Sequence, residues 1–311
     1  MIQYLLMKIM RAIVTVILIV SAGFVVLRMS GDPAMTILGP EAPPEVYAAF
    51  RRNWGLDQPI WTQYFRYFGA VFQGDLGNSM RDGRSALEVV SERIPLTLVI
   101  TLPALFLKLI IGLPAGVTAA LYRNSWVDRL IMMVSVAGFT VPSFVLGLVL
   151  AMVFAVWLGW LPSGGSDTWA HAVLPIVTMA LVGAAIIARF TRSAMLEVLG
   201  QPYIRAASAK GLLWRDVVRN HALPNAAIPT LTIVGFLVGS LVAGAVVVES
   251  VFSWPGVGRL LVNAVANRDL AVVQVILLLV GLTMVAANFT VDILYGIVDP
   301  RLRIKRLQAG S

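Results

Sequence analysis

The sequence predicts an all-α integral membrane protein with six transmembrane helices. Three observations lead there. Of 311 residues, 59% are hydrophobic and only 13% charged, whereas soluble domains carry about 45–50% apolar and about 25% charged residues. Six stretches, roughly 9–29, 97–121, 130–158, 172–195, 227–250 and 271–297, are apolar enough to supply the ~20 residues that cross the hydrocarbon core. Lipid offers no partner to an open backbone amide, so each such stretch closes its hydrogen bonds as a helix.

The first element, 1–29, carries Lys8 and Arg11 ahead of an apolar run from Ala12 to Val26. A signal peptide has this order too. The run is longer than an ordinary signal core, and no small-x-small cleavage site follows it, so it reads as a retained span.

The second element, 30–95, reads as an extracytoplasmic helical segment. In LDQPIWTQYFRYFGAVFQG, Asp57 is placed to cap a helix with Pro59 in its first turn. Trp61, Tyr64, Phe65, Phe68 and Phe72 then recur at spacings of three and four. That aromatic face suits the outer interface and equally a packed cap over the bundle. Ser85 followed by Glu88 has the form of a capping box, opening a helix that leads into the second span near Pro95.

The third element, 96–298, holds the other five spans, with a polar loop at 196–226 and a basic tail at 299–311. With the N-terminus inside, the inner segments hold Lys8, Arg11, Arg123, Arg129, Arg189, Arg192, Arg205, Lys210, Arg215, Arg219, Arg301, Arg303, Lys305 and Arg306, which is 14 of the 24 basic residues. Segment 30–95 holds six basic and eight acidic ones. This asymmetry places both termini in the cytoplasm. It also answers the net charge of +8: the cations flank apolar runs instead of lining a soluble face, so no nucleic-acid partner is expected.

Several chemistries find no support. Cysteine is absent and the two histidines, His171 and His221, lie far apart, so no metal site and no catalytic residue is expected. The chain has no G-x-x-x-x-G-K-S/T phosphate loop, no H-E-x-x-H and no G-x-S-x-G. GVGRLL at Gly256 lacks the third glycine of a dinucleotide fingerprint. Ser163 and Ser166 stand near His171, the makings of a hydrolase pair, but Pro162, Gly164 and Gly165 read as a turn between spans. Lys108 falls in mid-span, where a charge costs about 2.5–3.5 kcal/mol or more, so lining a pathway or pairing with a partner's carboxylate is the expectation, with snorkelling to the interface as the alternative. Glu249 ends the fifth span near the outer surface. An ion-coupled carrier would show midplane carboxylates, and none is placed there.

That leaves YIRAASAKGLLWRDVVRNHALPN, Tyr203–Asn225. Tyr203 to Lys210 reads as two helical turns rich in alanine, stopped by Gly211 in a left-handed conformation. A second helix, Leu213 to Ala222, precedes Pro224. A helix, a glycine corner and a second helix make a stiff knob whose small face admits a partner. A plain basic anchor would explain the charges but not the corner.

The stretch resembles the EAA loop of bacterial ABC-importer membrane subunits, E-A-A-x3-G-x9-I-x-L-P. Arg205, Ala206 and Ala207 stand at E-A-A, Gly211 at the glycine, and His221, Ala222, Leu223 and Pro224 at I-x-L-P. Arginine for the acid and histidine for the isoleucine resemble the dipeptide/oligopeptide/nickel branch, with its Y-I/V-R-x-A-x-A-K-G. Further branch-like segments are GDP at Gly31, GLDQP at Gly55, GDLGNSM at Gly74, RNSWVDRL at Arg123, ARFTRS at Ala188 and VESVFSWPGVGRLL at Val248. GPEA at Gly39 and the full pattern most resemble the glutathione-importer permeases.

The resemblance implies a type I ABC-importer transmembrane fold in the bacterial inner membrane, without catalysis of its own. It implies a second, related permease, two ATP-binding subunits that hold ATP and magnesium, and an extracytoplasmic solute-binding protein. Tyr203, Arg205, Ala206, Ala207, Lys210, Gly211, Leu223 and Pro224 would dock the ATPases, and Glu249, Pro255, Gly256 and Gly258 would form an outer loop or gate. The implied solutes are di- or oligopeptides such as glutathione, with nickel or an opine-like compound as the alternative.

Overall fold

The computed structural model describes residues 2–29 and 31–298; the tail expected at 299–311 lies outside them. The described chain is helical. It opens with α1 (Ile2–Met29), followed by α2 (Pro33–Leu38), α3 (Pro44–Asn53), α4 (Ile60–Phe72) and α5 (Ala86–Ser91). Next come α6 (Ile94–Leu121), α7 (Trp126–Thr140), α8 (Ser143–Ala151), continued by a π-helical turn at Met152–Trp157, and α9 (Ala170–Leu199). The remainder is α10 (Pro202–Ala209), α11 (Trp214–Val217), α12 (Leu223–Gly239), α13 (Val246–Val251), α14 (Val257–Ala266) and α15 (Leu270–Val298). By length and composition, five helices can cross a membrane, or six if the bent pair α7–α8 counts as one span.

The chain forms two compact units. One holds Ile2–Thr97 with Pro255–Leu282 and the other Leu98–Trp254 with the residues from Thr283 onward, so the boundary falls inside α6 and inside α15.

In the first unit, α4 packs its tyrosine side on α1. The Tyr64 hydroxyl and Ser21 Oγ lie 2.8 Å apart, and the rings of Phe24 and Tyr64 meet edge to face at 5.4 Å. The aromatic face therefore divides: Tyr64 and Phe68 are packed, while Trp61, Phe65 and Phe72 stay exposed. Residues distant in sequence fasten the rest. Asp32 caps α2 by accepting from the Ala34 amide at 2.9 Å and pairs with Arg51. Arg268 donates to the Asp32 carbonyl at 2.9 Å. Asp269, buried, accepts from the Ser79 hydroxyl and, at 3.2 Å, from the Met80 amide. Thr97 Oγ1 accepts from the Val257 amide at 2.8 Å.

In the second unit α9 is central, and α7, α8 and α12 pack around it. Between Ala180 and Thr191 its buried face is mostly small: Ala180, Gly183, Ala184, Ala185, Ala188 and Thr191, with Ile187 among them. Helix α6 approaches through Gly112 and Gly116. A methyl placed on Gly116 would lie 2.5 Å from the Ala188 carbonyl oxygen, and one on Gly112 2.8 Å from that of Ala184. Such close backbone approach is what small residues four apart permit in membranes, where packing replaces the hydrophobic drive. At one end, Ile100, Leu174, Met179, Val248, Phe252 and Trp254 form an apolar cluster.

Several expectations need correction. The stretch 130–158 is not one helix: α7 ends at Thr140 and α8 leaves it at 99°. Pro142 has no amide to donate and disfavours helical geometry in the residue before it; Val141 is extended at φ −74°, ψ 120°. The fifth span stops at Gly239, not 250, because Ser240 leaves the helical region (φ −91°, ψ 10°) within a run containing Gly239 and Gly244. Pro59, not Asp57, is the residue before α4, at φ −54°, ψ 145°, and no side chain caps that helix. Ser85 does precede α5 but makes no capping bond; Glu88 is engaged by Arg84 at 2.9 Å instead. Pro224 does not end the helix before it. The chain passes through a π-turn at Val218–Ala222 into α12, since a wider turn accommodates a residue with no amide donor.

Candidate functional site

The polar loop folds as a knob at the end of α9. Gly200 ends that helix, Gln201 is extended, and Pro202 starts α10 in the first-turn position, where its missing amide costs nothing. Helix α10 runs its two turns to Ala209. Gly211 then adopts φ +83°, which glycine reaches without the clash a Cβ would bring, and its amide donates to the Ser208 carbonyl at 3.0 Å. Leu213 is extended before α11.

The knob is anchored from beneath. Ile204 and Ala207 of α10 and Val217 and Val218 beyond the corner are buried against Ala194 and Met195 of α9 and Ala226 of α12. A helix of eight residues is marginal alone, so this burial holds it. The π-turn adds a bond: Asn225 Nδ2 donates to the His221 carbonyl at 2.7 Å.

The outward face carries the residues singled out in the sequence. Tyr203, Arg205, Ala206, Lys210 and Gly211 are exposed, Ala207 is buried, and Leu223 and Pro224 lie exposed where α12 begins. Tyr203 to Gly211 gather at the corner, Leu223 and Pro224 follow α11 and the π-turn, and the structure adds three residues that the sequence reading passed over. Leu212, Leu213 and Trp214 project beside Gly211, with Leu213 73% and Trp214 54% exposed. Their signal is an apolar triplet inside a basic loop.

A second feature supports the same region. Two branch-like segments, RNSWVDRL and ARFTRS, meet: Arg192 Nε and Nη2 donate to the two Asp128 oxygens at 2.6 and 2.7 Å. Asp128 also accepts from the amide of Asn124 at 2.9 Å, a residue held at φ +66°, and Ser125 caps α7. Parallel bonds from a guanidinium fork fix direction as well as distance. The pair thus clamps the turn at 122–125 to α9.

The other singled-out residues lie elsewhere. Lys108 lays its aliphatic stem over bare Gly183, where a methyl would meet Lys108 Cδ at 2.3 Å. No ion pair reaches it among the described residues. Glu249 is wholly enclosed within α13, in the unit that contains the knob, whereas Pro255, Gly256 and Gly258 open α14 in the other unit, with Gly256 and Gly258 buried. His171 is engaged by Thr168, Oγ1 to Nδ1 at 2.9 Å, not by Ser163 or Ser166. Among the described residues no three acidic or histidine side chains gather as a metal ion would need.

Comparison with known proteins gives a consistent result. Residues 112–304 match the model of the "binding-protein-dependent transport system inner membrane component" family, and residues 1–101 match its N-terminal counterpart. The glutathione transport system permease protein GsiC of Escherichia coli is 42% identical over 306 residues, spanning 98% of this chain and 100% of that protein. Its Salmonella typhimurium counterpart shows the same identity and coverage. Among solved structures, the inward-facing MetNI methionine ABC transporter aligns with a TM-score of 0.53 at 22% identity, covering 68% of this chain and 97% of that one. An amino acid ABC transporter crystallised with histidines aligns with a TM-score of 0.51 at 18% identity, covering 67% and 92%. These two alignments speak to the fold.

Proposed function

From the premise that the chain belongs to the family of binding-protein-dependent transport system inner membrane components, we propose that it is the non-catalytic permease subunit of an ATP-driven peptide importer. Glutathione is among the proposed solutes, supported by the 42% identity to a glutathione permease. The observation that carries the reading is the knob: an eight-residue helix anchored below by Ile204 and Ala207 and presenting Tyr203, Arg205, Lys210 and the exposed Leu212–Trp214 rim beside Gly211. A contiguous exposed apolar patch suits a protein or membrane contact, and in this reading it serves a protein.

In this reading the knob faces the cytoplasm and seats in one of two ATPase subunits, which bind ATP and magnesium. A second, related permease completes the membrane part, and an extracytoplasmic protein delivers the solute. ATPase closure displaces the knob, and rigid-body rotation alternates access to the pathway. Because α11 continues through the π-turn into α12, a push at the knob is transmitted to a spanning helix. Lys108, with no carboxylate partner within the described chain, is assigned to the solute pathway, where its charge suits a peptide carboxylate.

The test is uptake by proteoliposomes containing both permeases and both ATPases, with the binding protein outside. ATP-dependent accumulation of labelled dipeptide or glutathione, abolished when the ATPase phosphate-loop lysine is replaced by alanine, is expected. Uptake that survives that replacement and follows a proton gradient would identify an ion-coupled carrier. Accumulation of nickel or an opine-like compound in place of peptide would keep the importer and change its solute.

A further inference from the structure

Helix α4 carries an apolar face that the rest of its unit leaves open, and its contacts fix where that face lies. At 3.6 residues per turn the helix has three distinct sides. Tyr64 and Tyr67 form the first and pack on Phe24 of α1, with ring centres 5.4 and 6.1 Å from its own. Thr62, Gln63 and Arg66 form the second, lining an open cavity together with Leu270, Ala271 and Gln274 of α15. Trp61, Phe65 and Phe72 form the third, and they are 75%, 70% and 82% exposed.

Helix α1 sets the depth. It is long and apolar enough to cross the membrane, and its apolar run closes at Arg28. Ser21 stands seven residues before Arg28 and Phe24 four, which at about 1.5 Å per residue places them about 10 and about 6 Å inside that end. The Tyr64 side chain is held at these two residues, its hydroxyl 2.8 Å from Ser21 Oγ. The Phe65 ring centre lies 5.5 Å from that of Tyr64. Phe65 therefore sits at the boundary between headgroups and acyl chains, not out over the water.

The direction of the open face follows from the other two. Helix α1 meets α15 through Gly23, where a methyl would run into Leu277. Its exposed Leu18 and Val25 stand on the opposite side of the helix. Helix α4 turns its polar side to the cavity shared with α15, so its aromatic side points away from α15, as Leu18 and Val25 do. A contiguous exposed apolar patch suits a protein or membrane contact. Depth chooses between them: a water-soluble partner does not reach below the headgroups, whereas amphipathic helices lie there with their apolar side among the acyl chains.

We propose that α4 lies in the lipid interface, and that phospholipid acyl chains are the partner of its Trp61, Phe65 and Phe72 face. With the orientation drawn from charge, this is the outer leaflet. The segment between the first two spans is then fastened to the bilayer at its middle instead of standing free beyond it. The inference rests on α1 crossing the membrane, and not on the solute, the ATPases or the knob.

The chain has no cysteine, so Phe65→Cys can carry a single nitrobenzoxadiazole label at an exposed position. The labelled full chain is placed in nanodiscs of phosphatidylethanolamine and phosphatidylglycerol, with and without nitroxide groups on the upper acyl chains. Emission should fall about twofold or more in the nitroxide nanodiscs, with the unfolding midpoint of the wild type. Gln73→Cys, exposed on the polar side where α4 ends, should lose far less. No loss at Phe65→Cys, or an equal loss at Gln73→Cys, would overturn the proposal. If Phe65→Cys unfolds early, Trp61→Cys decides in its place by the same two criteria. The measurement is then repeated on the complete importer: quenching that persists supports lipid as the partner, and quenching lost on assembly would give the face to the second permease and overturn the assignment.

Discussion

At the scale of single residues, ion pairing does more here than the composition suggests. Asp128 is almost fully enclosed, while the Arg192 side chain keeps 25% of its exposure. Removing one partner of an enclosed pair costs about 3–5 kcal/mol; with one member partly solvated, Asp128→Asn is expected to cost on the order of 2 kcal/mol, since the loss scales with the charge left unpaired. The double change Asp128→Leu with Arg192→Met should cost less than the two single changes together. Thermal unfolding of the wild type, Asp128→Asn, the two single changes and the double variant in detergent checks this, and a wild-type midpoint for Asp128→Asn would show the clamp to be idle. The two partners are 64 positions apart. In the sequence they read only as one acid in a short loop and one inner cation among several, so their pairing was not legible. Gly211 was, because a helix stopped by glycine is a local matter of backbone geometry.

At the scale of elements, the knob depends on that one corner. A methyl on Gly211 would meet no atom within 4 Å, so the whole cost of a side chain there is conformational, about 1–2 kcal/mol for a left-handed L-residue. Gly211→Val should therefore uncouple ATP hydrolysis from uptake or block assembly, whereas Gly211→Asn, tolerated in that region, should keep most activity. Comparing hydrolysis with uptake in proteoliposomes decides it; full coupling in the valine variant would refute the claim. The spans show the same division between local and distant causes. Near 2–29, 94–121, 170–199 and 270–298 the expected and observed helices agree to within several residues, except at the first start, because long apolar runs carry their own signal. The breaks at 141–142 and after 239 escape an apolar-run reading because only a few small or polar residues, GFTVPS and Gly239-Ser240, interrupt the runs there. Pro142 can kink a span or divide it, and composition alone does not choose.

At the scale of the whole molecule, the distribution of charge predicts orientation. The chain has no cysteine, so single-cysteine variants give a clean topological assay. Arg215→Cys on the exposed knob side should react with a membrane-impermeant maleimide only from the cytoplasmic face, and Gln73→Cys, exposed beyond α4, only from the outer face. Reaction of both from one face would overturn the positive-inside assignment.

The bond between Ser79 and Asp269 carries one more consequence, for engineering. Asp269 satisfies its enclosed carboxylate through Ser79 and Met80, some 190 positions earlier. A shortened version lacking the segment before the second span would remove both donors and open the carboxylate to water, so the start of α15 would lose the contacts that fasten it. The early segment is therefore not a detachable ornament.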